Sequence, residues 1–253
     1  MKTRRANRSL LSSFETKMKL DFANERVLAV VAHPDDAELL CAGTLARARA
    51  DGAVIGIAVL CRGDKGQPNP PIENLGEVRS GEMKAAAELL HAEFLEGGFC
   101  DGELFDGPES RKTVIELFRQ FRPTLVLAHS AGDYHPDHRA ASALAEAATW
   151  FCASAGHKTK SASLAKPPAL WWMDTIDMIG FQPECYVDIS RFLELKRQMM
   201  RCHKSQLARG ENADFSPLEE MMIRQCEARG AQSGTAAAEA FQHALVWKRT
   251  RAW

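Results

Sequence analysis

The stretch that most constrains this chain is residues 27–44, VLAVVAHPDDAELLCAGT, where an apolar run, a set of metal-type side chains and a helix start follow one another without a gap. Positions 27–32 are apolar and rich in β-branched residues, the pattern of a strand buried on both faces of a parallel sheet. His33 falls at its carboxyl end. Pro34 suits the first turn of a helix, and Asp35 and Asp36 suit the positive end of its dipole. A mostly apolar face through Leu39, Leu40, Gly43, Leu45 and Ala46 then predicts one helix running to a stop at Asp51-Gly52. Taken alone, the stretch also admits a plainer reading: a loop histidine beside two aspartates that only cap a helix.

A second cluster shifts the balance. Residues 125–128 form another apolar strand, after a helix-like 114–121 and a break at Pro123, and they run into His129, Asp133, Tyr134, His135, Pro136, Asp137 and His138. Ligand sites of open parallel sheets lie outside the carboxyl ends of strands, so two acid-and-histidine clusters at two such ends converge on one site. A shared metal is the economical explanation.

The remaining elements fit an α/β fold with a Rossmann-like, mostly parallel sheet flanked by helices. Residues 53–60 read as a second strand, parallel to the first by its βαβ spacing, ending in the turn Cys61-Arg62-Gly63-Asp64-Lys65-Gly66. Residues 77–91 read as a helix, 94–95 as a short strand, and a helix runs from about 138 to 152. The Ser-, Lys- and Pro-rich 153–168 reads as a loop over the site. Strands at 170–173 and 185–189, a helix over 191–208, a helix over 218–229, a loop at 230–235 and a final apolar piece near 245–247 complete the pattern.

Length and charge bound the function. A chain of 253 residues with 45% hydrophobic content buries a sizeable core as one domain, here expected over 18–253, with 1–17 a disordered N-terminal extension lacking an apolar face. A net charge of −1 gives no broad attraction to nucleic acid or an anionic membrane. Neither a membrane span nor a secretion signal is evident, and GxGxxG and GxxxxGK[ST] are absent. Seven cysteines without CxxC pairs point to reduced thiols and a cytoplasmic protein. Cys61 shows no base beside it in the sequence and reads as a core residue.

The cluster has the composition of a catalytic zinc site, which takes three nitrogen or oxygen ligands and leaves one position open. His33, Asp36 and His138 supply that set, with one Zn2+ per chain. Asp35 is left free as general base, and His135, oriented by Asp137, as donor to an oxyanion or a leaving amine. His203 reads as core or helix surface, and His91, His157 and His243 as structural. Arg79 and Glu82, three apart, also admit the reading of an exposed helix pair.

AHPDD at 32–36, continuing AELLCAGT, and HPDHRA at 135–140 resemble the two signatures of the LmbE-like, or PIG-L, zinc-dependent de-N-acetylases. Weaker similarity extends through 62–66, Arg79-Ser-Gly-Glu82, Asp101-Gly102, His203-Lys-Ser-Gln206 and 238–241. The resemblance implies an LmbE-like fold and hydrolysis of the acetamide of a small N-acetylglucosamine conjugate. It further implies substrate contacts from Arg79 and Asp101, and it leaves room for a homo-oligomer. Ala37 followed by Glu38, in place of an immediate Glu, is similar to the bacillithiol-pathway branch, which acts on an N-acetylglucosaminyl malate. The alternative is a non-catalytic metal- or sugar-binding module on the same scaffold.

Overall fold

The computed structural model describes residues 20–211 and 217–244; the expected extension at 1–17 and the piece at 245–247 lie outside them. The elements run in the order β1 Arg26–Val31, α1 Asp36–Leu40, α2 Ala42–Ala50, β2 Val54–Cys61, α3 Leu75–Leu90, β3 Glu93–Phe99, α4 Pro108–Phe121 and β4 Leu125–Ala128. They continue with α5 Pro136–Phe151, β5 Ala169–Met173, β6 Cys185–Asp188, α6 Leu193–Met200, α7 Lys204–Leu207, α8 Leu218–Ser233 and β7 Ala238–His243.

All seven strands join one sheet, ordered β3-β2-β1-β4-β5-β7-β6, in which β7 runs antiparallel to its neighbours and the other pairings are parallel. The alternation along β1 explains its uniform apolarity. Val27, Ala29 and Val31 pack toward a layer that includes α1, α2, α3, α6 and α8, while Leu28, Val30 and Ala32 pack toward α4 and α5. Fully burying each of the valines and the leucine contributes about 1.5–3 kcal/mol. From β1 the chain moves outward to β2 and β3; from β4 it moves the opposite way. The carboxyl ends of β1 and β4, paired from Val27↔Leu125 to Val30↔Ala128, therefore flank the point where strand order reverses.

Three expected elements differ. The helix predicted to run through to Asp51 breaks at Cys41, because Lys196 Nζ takes the Leu39 carbonyl while Glu239 accepts the N–H groups of Gly43 and Thr44. Two side chains replace the helical hydrogen bond. The helix predicted over 191–208 also divides, because buried His203 faces Glu38, and Glu82 takes the Ser205 N–H and hydroxyl at the start of α7. Glu82 is thus engaged across the fold and not with Arg79. Helix α8 continues to Ser233 through Gly230, where a Cβ would lie 2.8 Å from the Ala236 backbone.

The 153–168 segment does not cover the site. Buried Arg119 on α4 donates to the carbonyls of Phe151, Cys152, Ser154 and Ser161 and to the Thr159 hydroxyl, and Glu116 accepts from Ser161, which pins the segment against α4.

Candidate active site

Beyond the ends of β1 and β4 lies a pocket of about 800 Å3, with His33, Asp35, Asp36, Arg79, Asp101, His135, Asp137 and His138 in its walls. The eight residues singled out in the sequence are therefore brought together. Lys65 and Gly66 from the turn after β2 also line it, and the outer wall comes from Ile176, Asp177, Gln206, Arg209, Leu218 and Met221.

Asp36, the first residue of α1, is the hub. Its Oδ2 accepts the His33 N–H at 2.7 Å and lies 3.5 Å from His33 Nδ1, while Oδ1 lies 3.3 Å from His138 Nε2. Two ligands at about 2.1 Å on a tetrahedral ion stand about 3.4 Å apart, so each separation suits a pair of ligands, although His33 and His138 face different oxygens of Asp36 and the three together are not one of the close donor sets. Among the described residues, three sets of donor atoms each fall within 4.8 Å: His33, His135 and His138; Asp36, His129 and His138; and His33, Cys61 and Asp137. Imidazole nitrogen with carboxylate oxygen is the donor chemistry of a zinc-type divalent ion, and the residues fit it.

The electrostatics agree. Burial works against charge on His33, yet Asp137 and Asp36 push its pKa up to about 10; His138, equally opposed by burial, is raised to about 9 by Asp36 and Asp133. Burial is outweighed at Asp36 too, where His138 and His129 hold the carboxyl well below its ordinary value. Burial and the neighbouring His138 hold His129 and His135 below the ordinary histidine value, so positive charge is favoured at His33 and His138 alone.

Asp35 stands apart. It has φ +105°, outside the usual region for a residue with a side chain, a strain of about 1–3 kcal/mol that the surrounding structure must hold. Its Oδ2 receives Arg79 Nη2 at 3.0 Å, and Arg79 also donates to the carbonyls of Pro34 and, at 3.3 Å, Gly63. Gly63 has φ +72°, and a Cβ there would collide with the Arg79 side chain at 2.6 Å. Burial raises the Asp35 pKa, and Arg79 opposes that rise. Asp101 organises the turn after β2: Oδ1 accepts the Gly63 N–H at 2.8 Å and Oδ2 the Lys65 N–H at 3.1 Å.

The expected pairing of the Asp137 carboxylate with His135 is corrected by the structure. That carboxylate meets His33 Nε2 at 3.0 Å and accepts the Gly102 N–H at 2.8 Å, and it is the backbone N–H of Asp137 that donates to His135 Nδ1 at 3.2 Å. The geometry follows from α5 starting at Pro136, which makes His135 its N-cap and aims the Asp137 side chain across to β1. Two residues that the sequence placed in the second cluster without a role in the site gain defined partners. Asp133 Oδ1 lies 2.9 Å from His138 Nδ1 and accepts the His135 N–H at 3.0 Å, fixing the His138 ring. Fully buried His129, at the end of β4, accepts the Ala32 N–H on Nε2, which lies 3.2 Å from Asp36 Oδ2, and its ring stacks on His138 with centroids 4.1 Å apart. Its place directly after an apolar strand was the available signal. His203 is buried, which decides between the core and helix-surface readings the sequence left open.

The PIG-L family profile, described as GlcNAc-PI de-N-acetylase, matches residues 28–149. The diacetylchitobiose deacetylase of Thermococcus kodakarensis is 29% identical over 209 residues, covering 78% of this chain and 76% of that protein. The crystal structure of the conserved protein TT1542 from Thermus thermophilus superposes with a TM-score of 0.78 at 30% identity, covering 90% of this chain and 97% of that one. GalB, the 4-carboxy-2-hydroxymuconate hydratase from Pseudomonas putida, superposes with a TM-score of 0.76 at 21% identity over 90% of this chain and 99% of its own, a likeness of fold alone. The profile match spans both histidine-aspartate clusters that meet in the pocket, and the chain belongs to the PIG-L, or LmbE-like, deacetylase family.

Proposed function

We propose that this chain is a zinc-dependent hydrolase that removes the acetyl group from the amine of a small N-acetylglucosamine conjugate. The observation that carries the reading is a strained, buried carboxylate, Asp35, held by Arg79 beside a cluster of metal-type donors in which it takes no part. A site that only bound metal or sugar has no use for such a group, which disfavours the binding-module alternative. The family description and the diacetylchitobiose relative share an N-acetylated glucosamine, and a pocket of about 800 Å3 has room for such a sugar with its aglycone.

His33, Asp36 and His138 would hold the zinc, which when bound supplies a Lewis acid and a water of lowered pKa. Asp35 then takes the proton of the attacking water, with Arg79 fixing the carboxylate that receives it. His135 Nδ1 is occupied by the Asp137 N–H, so the neutral ring carries its proton on Nε2, the nitrogen left to donate to the developing oxyanion or to the departing amine. Asp137 acts on His33 Nε2 and positions that ring. Arg79 and Asp101 shape the sugar side of the pocket, Asp101 by holding the Gly63–Lys65 turn.

Residues 18–253 act as one domain in this reading, supported by the single sheet that takes in every strand of the described residues. The seven cysteines, all unpaired, suit a reducing cytoplasm, and among the described residues no helix is long and apolar enough to cross a membrane. The decisive experiment measures free amine released from diacetylchitobiose, N-acetylglucosaminyl inositol and N-acetylglucosaminyl malate by chelator-treated protein before and after one equivalent of zinc. Zinc-restored release supports the reading. Stoichiometric zinc without amine release from any of them overturns it.

A further inference from the structure

The His33 ring faces two ways. Nδ1 looks toward Asp36 at 3.5 Å, and Nε2 meets Asp137 Oδ2 at 3.0 Å. On the Asp137 side stands a sulfur: donor atoms of His33, Cys61 and Asp137 all lie within 4.8 Å of one another. Cys61 is the last residue of β2, next to β1, so its side chain arrives from a third strand end and not from either signature cluster. It is 2% exposed, while His33, Asp101, Gly102 and Asp137 open onto the pocket, which gives an ion a route from solvent. None of the other six cysteines joins such a group among the described residues.

We propose that Cys61, His33 and Asp137 form a second cation site, back to back with the first, that takes a soft divalent ion such as cadmium or excess zinc and thereby inhibits the enzyme. One thiolate, one imidazole and one carboxylate with a fourth position for water make a tetrahedral set. The sulfur sets its preference apart from that of the nitrogen-and-oxygen site on the Asp36 side, since thiolate favours soft ions. Binding exchanges the thiol proton for the metal, and the proton leaves to solvent. A neutral imidazole has one lone pair, so an ion bound through Nε2 takes His33 away from the Asp36 side. The two sites compete for one ring. A thiophilic ion at the second site also draws Asp137 from its contact with His33.

Only the inhibitory consequence rests on the deacetylase reading, and the site itself is tested without substrate. Chelator-treated protein is titrated with cobalt(II) and its absorption followed. The expected result is a thiolate-to-cobalt charge-transfer band in the near ultraviolet at saturating cobalt, lost in both Cys61→Ala and Cys61→Ser, which keep the visible absorption of a nitrogen-and-oxygen cobalt site. In the deacetylation assay, the cadmium concentration for half-inhibition rises at least tenfold in both variants, while zinc-supported turnover persists. Absence of the band in the wild-type protein, its persistence in both variants, or an unchanged cadmium midpoint overturns the proposal. A wild-type chain that releases no amine from any conjugate still shows or lacks the band, so failure of the deacetylase reading is distinguishable from failure of this one.

Discussion

Arg79 Nη2 lies 3.0 Å from Asp35 Oδ2, and both side chains are almost wholly removed from solvent. Asp35 makes no contact of the kind that links Asp36 to His33 and His138. Asp35→Asn is therefore expected to retain one zinc per chain by metal analysis while losing about 10²–10⁴-fold in kcat. Loss of zinc from this variant would show that Asp35 is a ligand.

The same pair predicts how Arg79 fails. Arg79→Met leaves a buried carboxylate without its partner, so kcat falls more than KM rises, since the damage is to the proton acceptor and not to uniform binding. A rise in KM alone would return Arg79 to direct substrate contact. Asp101→Ala frees the Gly63–Lys65 turn, which lines the pocket, and is expected to raise KM with a smaller change in kcat.

His138 contributes Nε2 toward Asp36 and is fixed through Nδ1 by Asp133. His138→Ala removes a ligand and is expected to empty the site on dialysis. Asp133→Asn keeps the ligand and loosens its orientation, so zinc affinity should fall about 10–100-fold, measured by competition with a chromophoric chelator. Stoichiometric zinc in dialysed His138→Ala would remove His138 from the ligand set.

Behind the site, Lys196 and Glu239 are buried together and hold the break between α1 and α2. Lys196→Met strands the Glu239 carboxylate, with an expected loss of about 3–5 kcal/mol in urea unfolding. Lys196→Met with Glu239→Gln should recover part of that loss. Equal stability of the single variant and wild type would mean the charge is compensated elsewhere.

Glu116 gives a test by pH. Burial works upward on its carboxyl, but the Ser161 N–H and the hydroxyls of Thr159 and Ser161 hold its pKa down to about 2. A pKa depressed in the folded state contributes stability above the unfolded value, about 4.3, and loses it as pH falls through about 2. The group is largely solvated, so the contribution is below about 1 kcal/mol. Melting of Glu116→Gln should trail wild type by a few degrees at pH 7, with the gap closing toward pH 2. A gap that widens on acidification would be the wrong sign.

The sequence alone determined the central strands, the strand-to-helix turns after β1 and β4, and the histidines and aspartates they deliver. Those features are local: apolar runs of strand length, Pro at a helix start and carboxylates at its first turn act within a few residues. Tertiary structure decided what depends on distant partners. The break at Cys41 exists because Lys196 and Glu239, far along the chain, displace a helical hydrogen bond, and no property of residues 36–50 announces it. The loop at 153–168 is polar in composition, yet Arg119 ties it down away from the pocket. Asp137 was legible as a site residue, but its partner was not, because the direction of a side chain at a helix start depends on how α5 sits against β1. His129, Asp133 and Cys61 acquired their meaning in the same way: a side chain's chemistry is written in the sequence, while its neighbours are set by the order of strands in the sheet.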